Sequence, residues 1–503
     1  MGISCEFFSL KFLVTALVIG AAALLGSFPS YFRRMWERYR GRLPPGPTAF
    51  PFVGTISVDR KHPDRTFKLW AKRYGSLFSF YFGSRFCVGV SDMNLVKRIF
   101  KDDRFDGRSR AGIMPLLING ELTNGIILGT GNVWKEHRKF TLATLKDFGF
   151  GKASGLEDIE KEVDSLVTAF RNTNGKLFNP KPLFTAAVAL VVSRFLFSVK
   201  CDPDDGLFKQ FVSNVNKNMQ DFVGVLEVFP WLRHFPPFRG IFRRLHDRVR
   251  QNSDILAELV RQHRLTRIPQ SSRDYTDSYM DVQDANKAAT GSEGTFTDTK
   301  LVRNISDIFV AGYETTSTFL RWCVLYMILH PDVQAKIQDE IDTVVGQSRQ
   351  ATFVDKHKMP YTEAVVTEIH RVACITPFGL QHIATEDVEL EGYTIPKGTE
   401  VWGLNCNHYS NPDVWKDPEN FRPERFLDSS GCLITSLIDE VQPFSVGRRV
   451  CLGEPLARIE IFCFFVAILQ NFNLTSDKVP STVPVTSQVL APQTFNVIAT
   501  PRF

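Results

Sequence analysis

The stretch "PFSVGRRVCLGEPLAR", residues 443–458, and the run "IEIFCFFVAILQNF" behind it limit what this chain can fold into more than any other segment. The second run is apolar on nearly all faces, so as a helix it belongs in the middle of a protein. The first feeds that helix through Gly447 and Gly453 and sets Cys451 just behind Arg448 and Arg449. Most buried cysteines behave as small hydrophobes and have no such setting. A thiolate is stabilised by positive charge, backbone N–H groups or a metal, and a helix start offers unpaired N–H groups that attract anions. No Cys or His lies close by in sequence to complete a zinc site. A single cysteine ligand facing a large flat cofactor fits better.

The bulk numbers agree with a large apolar interior: 43 phenylalanines stand against 11 tyrosines in 503 residues. The net charge of +6 is mild, and no basic tract carries interleaved aromatics, which argues against a nucleic-acid partner. Nine cysteines are scattered, odd in number and free of CxxC pairs. That fits neither a disulfide scaffold nor a zinc ribbon, and points to a reducing compartment for the folded part.

Near the N-terminus, Phe12–Phe28 is 17 residues without a charge, roughly 26 Å of helix against a bilayer core of about 30 Å. Arg33, Arg34, Arg38, Arg40 and Arg42 follow it, against Glu37. Basic residues after the span keep that side cytoplasmic, whereas a cleaved signal peptide carries them before it. The expected organisation is a transmembrane anchor at 1–30, a basic and Pro-rich linker at 31–47 ending in "LPPGP", and one body at 48–503.

Along the body, residues 77–90 and 386–405 read as hairpins. A long helical pattern runs from about Thr297 to His330, and the polar stretch 268–298 is expected to be a long mobile loop. The Pro-broken apolar stretch 228–238, "VFPWLRHFPPF", reads equally as a second membrane contact or a buried loop. Lys135, Lys139 and Lys146 read as a solvated helix face.

Haem iron accepts one axial thiolate, and here a resemblance enters. Phe444, Gly447, Arg449, Cys451 and Gly453 match the FxxGxRxCxG pattern of cytochrome P-450 monooxygenases. Nearly the whole chain resembles the microsomal animal branch that oxidises drugs, steroids and fatty acids. The resemblance implies a mostly α fold with small β-sheets, a single haem-binding domain behind its anchor, on the cytosolic side of the endoplasmic reticulum membrane. It implies haem b, with Cys451 as the iron ligand, Phe444 shielding the sulfur, Gly447 and Gly453 allowing the bend and close approach, and Arg449 meeting a propionate. Trp134 and Arg138 match the family's WxxxR, and His382 matches a position that often contacts haem, a core histidine being the alternative. In "AGYETT", Ala311 and Gly312 would leave room for dioxygen, and Glu314 and Thr315 would hold water and protons. A Thr bonding back to its own helix is the plainer reading.

Of four ExxR matches, order in the chain selects Glu368 and Arg371, joined in the family by Arg425. Where relatives often carry an arginine before "GIxPL", this chain has Ala111, with Arg110 and Arg108 nearby. By family position alone, Met114, Leu117, Phe378, Val489 and Leu490 are substrate-lining candidates. The implied activity inserts one oxygen atom of O2 into a lipophilic molecule, with electrons from NADPH through a membrane-bound reductase docking near Lys135 and Lys139. Cytochrome b5 is implied as a second partner. A haem-thiolate isomerase or dehydratase, and a non-enzymatic haem binder, stand as alternatives.

Overall fold

The computed structural model describes residues 29–59, 63–118, 125–148, 156–198, 206–221, 224–485 and 489–503. The fold is mostly helical with small sheets, as expected, and the chain forms two compact units.

One unit holds the described parts of Met1–Ser109, Val225–Pro230 and Phe378–His408. Its sheet begins with the expected hairpin, β1 Leu77–Phe82 against β2 Arg85–Val90, in register Leu77↔Val90 through Phe82↔Arg85. The second expected hairpin region divides. β3 is His382–Ile383, and β4 Val388–Leu390 pairs with β5 Tyr393–Ile395 across Glu391 and Gly392, both at positive φ, which suits a tight hairpin turn. β6 Glu400–Gly403 instead joins β2 in parallel, giving the order β1-β2-β6-β3. Phe67, Trp70, Phe78, Phe80 and Trp402 form an aromatic core here, with Phe378 against it. The "LPPGP" segment is packed onto β1: the Ser79 amide donates to Pro45 O and the Ser79 hydroxyl to Pro44 O, both at 2.7 Å. A Cβ on Gly46 would stand 1.8 Å from Ser79 O, so only glycine permits this approach.

The other unit holds the described parts of Arg110–Gly224, Trp231–Pro377 and Tyr409–Phe503. Its axis is the helix Asp298–Leu329, capped by the Thr297 side chain and ending at His330, as the sequence pattern predicts. Against it pack the helices Lys181–Phe197, Phe238–Thr266, Pro360–Ala373 and Glu454–Asn471. The last is the apolar helix behind Cys451, and every residue from Ile459 to Gln470 is buried. A strand pair, β7 Phe472–Thr475 with β8 Ile498–Pro501, closes the chain.

The expected loop at 268–298 is not one. Tyr275–Thr290 is a helix, N-capped by the Asp274 carboxylate and stopped by Gly291 in the left-handed region. Tyr275, Thr276, Asp277, Tyr279, Met280 and Gln283 are its buried stripe, at helical spacing; three of the six are plainly polar, which hid the period. The stretch 228–238 is irregular as expected: a short helix Gly224–Val228, a 3-10 turn Pro230–His234, then Phe238 opening the next helix. Trp231 there is exposed. The apolar run Phe12–Phe28 lies outside the described residues, and among the described ones no helix is long and apolar enough to cross a membrane.

Candidate active site

The cysteine loop is built by backbone geometry. Ser445 and Gly447 both take positive φ. The Val450 amide closes on Gly447 O, and the Cys451 amide donates to Phe444 O at 2.9 Å. The chain then enters the helix at Glu454, with Pro455 in the first turn, where its missing N–H costs nothing. Cys451 sits just ahead of that start, with the Gly453 and Glu454 amides directed at its sulfur. The protein packed around its sulfur raises the thiol above the ordinary cysteine value even though the residue keeps accessible surface, and these amides and Arg138 pull it back.

Arg449 anchors the loop from beneath. Its side chain is buried, donates to Gly129 O at 2.7 Å, and lies 3.4 Å over the Trp134 ring. Trp134 is itself buried, and its indole N–H donates to Ile126 O at 3.1 Å. Arg138, one turn on, donates to Val450 O next to the cysteine. Sequence reasoning missed Asp307. From the long helix, its carboxylate accepts from the Ile126 and Ile127 amides at 2.9 and 3.0 Å and pairs with Arg303. It thereby pins the turn that presents Gly129 to Arg449. A buried acid beside an arginine four residues back was the only trace of it in the sequence.

Space for a flat group shows as accessibility where none is expected. Cys451 is exposed although it stands just ahead of a helix whose residues from Ile459 to Gln470 are all buried. On the long helix, every residue from Thr316 to Met327 is buried, yet Ala311 is exposed and Gly312, Glu314 and Thr315 are half-buried. Open surface inside helices this deep is what the walls of an internal ligand space present, so the residues fit a haem. A Cβ on Gly312 would meet Val192 at 3.1 Å, so its smallness also seats the neighbouring helix. Thr315 donates to Ala311 O at 2.8 Å. Burial pushes the Glu314 carboxyl up, against the pull of Lys181 and Arg321.

Glu368 and Arg371 form a buried fork, 2.8 and 2.7 Å, and Arg425 adds a third contact at 3.1 Å. Arg371 further donates to the carbonyls of Tyr409, Pro418 and Asn420, which ties the turn-rich segment 409–425 into place. Of the other ExxR matches, Glu258 and Arg261 pair on the surface, and Glu37 pairs with Arg33 instead.

Other expected residues lie as follows. His382, in the β-rich unit, is buried, stacked 3.7 Å from Phe100, with Nδ1 against Phe105 O at 2.9 Å. Phe378 packs on Phe67 and Trp402 in the same unit. Arg108 there spends its guanidinium on Leu380 O and Gln381 O, while Arg110 is exposed. In the helical unit, Leu117 and Val489 are buried, Met114 is half-buried, and Leu490 is held by bonds to Ile375 and Trp322. Lys135, Lys139 and Lys146 are exposed.

A mostly helical fold with a cysteine presented to an internal space defines a haem-thiolate protein. The model of the cytochrome P450 family matches residues 44–498, and the chain belongs to that family. It is 35% identical over 479 residues to cytochrome P450 2B4 of Oryctolagus cuniculus, covering 94% of this chain and 95% of that one. Vitamin D(3) 25-hydroxylase of Sus scrofa is 36% identical, covering 93% and 94%, and cytochrome P450 2C20 of Macaca fascicularis 37%, covering 88% and 90%. The chain is thus a haem-thiolate monooxygenase, with haem b as cofactor and O2 and NADPH-derived electrons as co-substrates.

Proposed function

We propose that this chain oxidises a lipophilic small molecule (a xenobiotic, steroid or fatty acid) with Cys451 as the iron ligand. The accessible Cys451 in its amide-lined loop carries this reading. When bound, haem supplies the oxygen activation, and thiolate ligation favours O–O cleavage. The chain's own residues bind, orient and move protons. Arg449 and Arg138 hold the propionate side through charge-assisted bonds; His382 is a cofactor-binding residue by family position. Trp134 acts as the platform for Arg449, its N–H reaching a propionate only by leaving Ile126. Phe444 covers the sulfur side, and Gly447 and Gly453 keep the loop close. Thr315 holds and passes a proton at Oγ1, with Glu314, whose carboxyl burial pushes up, behind it.

Electrons arrive from an NADPH–cytochrome P-450 reductase that docks at the Lys135 and Lys139 face, and cytochrome b5 is a second partner. Residues 1–30 anchor the protein in the endoplasmic reticulum membrane, residues 31–47 lead to the body at 48–503, and the body lies on the cytosolic side. The test is the reduced CO spectrum beside turnover of a mixed lipophilic panel in reconstituted membranes with reductase. The expected result is a thiolate-type band, lost in Cys451→His together with NADPH-dependent product. An unchanged band in Cys451→His would overturn the assignment.

A further inference from the structure

The helix at residues 29–39 is turned the wrong way round for water. At 3.6 residues per turn, Phe32, Trp36 and Tyr39 fall within about 60° of arc, with Arg34 and Arg38 roughly opposite. A surface helix in water buries its apolar face and exposes its charges. Here the arginine side is the docked side. Arg38 donates to Pro47 O at 3.1 Å, Arg34 lies over the Phe86 ring at 5.1 Å, and the Tyr31 hydroxyl bonds Ala49 O. The aromatic side faces out: Phe32 is 52% exposed, Trp36 52% and Tyr39 91%. The segment that receives the helix continues the pattern, with Phe50, Val53 and Ile56 all exposed.

We propose that helix 29–39 is an interfacial helix whose Phe32–Trp36–Tyr39 face is immersed in the lipid surface, which fixes the β-rich unit to the bilayer through the docked arginine side. This rests on the membrane reading given above and adds a second, flat contact in what the sequence presents as a linker. Three observations choose lipid over a protein partner. In the sequence, residue 29 directly follows the charge-free run Phe12–Phe28. Trp and Tyr are the side chains enriched at the headgroup level. Basic groups flank the stripe: Arg33 is exposed, and the Arg40 guanidinium lies 4.2 Å over the Trp36 ring, placed to reach anionic headgroups while the ring stays below.

The experiment places a benzoyl-phenylalanine photo-crosslinker at position 32, 36 or 39 of the full chain, or at exposed control positions Leu265 and Val479. The carriers are bilayers of phosphatidylcholine with a minor fraction of phosphatidylserine, with and without reductase. Lipid adducts from 32, 36 and 39 in large excess over both controls are expected. Loss of phosphatidylserine should weaken Trp36 quenching by brominated lipid, read as the difference between the parent chain and Trp36→Phe. Control-level lipid adducts, or adducts mainly to reductase or to a second copy, overturn the proposal. Co-sedimentation with the bilayers is scored in parallel. A chain that sediments with lipid but gives no adduct at 36 refutes the interfacial helix alone, whereas a chain that stays in solution refutes the anchor as well.

Discussion

Arg449 lies with its guanidinium 3.4 Å over the Trp134 indole while donating to Gly129 O at 2.7 Å. A planar cation satisfies both contacts at once; a lysine ammonium has no plane to stack. Arg449→Ala removes a charge-assisted bond worth about 1.5–3 kcal/mol and leaves a buried carbonyl unmet. The loop before Cys451 then loses its anchor. The expected result is a lower haem-to-protein ratio and a lower unfolding midpoint, only slightly relieved in Arg449→Lys. Trp134→Phe keeps a ring beneath the guanidinium and should lose less. Equal haem content in all three variants would show that the stack does not hold the site.

The Glu368–Arg371–Arg425 cluster supports the fold near the cysteine and takes no part in the reaction. Glu368 and Arg371 are wholly buried. Glu368→Gln strips one charge from a buried network, a change that typically costs about 3–5 kcal/mol. Denaturant midpoints followed by haem absorbance should fall sharply. Glu258→Gln, which breaks the exposed look-alike pair with Arg261, should leave them in place. A similar midpoint in both variants would refute the choice among the ExxR matches.

Legibility followed the strength of local signals. The long apolar period gave a helix from about Thr297 to His330, and the structure has it at Asp298–Leu329. Glycine-centred turns gave both hairpins, although β6 leaving its neighbours to pair with β2 depends on contacts three hundred residues apart. Arg449 and the Glu368 network were legible because charged residue types are costly to bury without a partner, and the Cys451 loop because its glycines and arginines stand at fixed spacing. Asp307 was not, since its value comes from a turn distant in sequence. The packing of Gly312 against Val192 was equally hidden, since the two lie far apart in sequence and meet only in the fold. The helix Tyr275–Thr290 hid because side chains such as Gln283 and Thr276 fill its inner stripe.

Thr315 donates its hydroxyl to Ala311 O, and this bond by itself would make it an ordinary helix threonine. What distinguishes it is position: it is half-buried just ahead of the buried run Thr316–Met327 and one turn after an exposed alanine, Ala311. Thr315→Ala keeps helix propensity and removes only the hydroxyl. The CO spectrum and midpoint should therefore persist. The ratio of product to NADPH should fall and hydrogen peroxide should rise, with Thr315→Ser recovering most of the loss. Proton-relay groups contribute roughly 10²–10⁴-fold, and water in the same space would blunt this. An unchanged ratio on a good substrate would return Thr315 to its helix.

Glu460 stands fully buried in the helix behind Cys451, hydrogen-bonded by Thr316 of the long helix, the residue after Thr315. Its Oε1 has no hydrogen-bond partner, and burial holds its carboxyl well above the usual carboxylate range. In the folded state it therefore keeps its proton at pH values where the unfolded chain has lost it. A raised folded pKa gives stability that is complete below the unfolded value, about 4.3, and is lost as pH rises toward the folded one. While that window stays open the loss is about 1.4 kcal/mol per pH unit. Glu460→Gln has the same shape, can accept from Thr316, and does not titrate. The two proteins should unfold at similar denaturant concentrations near pH 5. As pH rises toward 8 the Gln variant should become progressively the more stable. Parallel curves would mean that the carboxyl ionises in place with a counter-charge, and that the link between the cysteine helix and the Thr315 helix is an ion-stabilised one. Glu460→Leu completes the argument. It removes the titration too but leaves the Thr316 hydroxyl buried without this acceptor, so it should match Gln in losing the pH dependence while falling below it in stability at every pH.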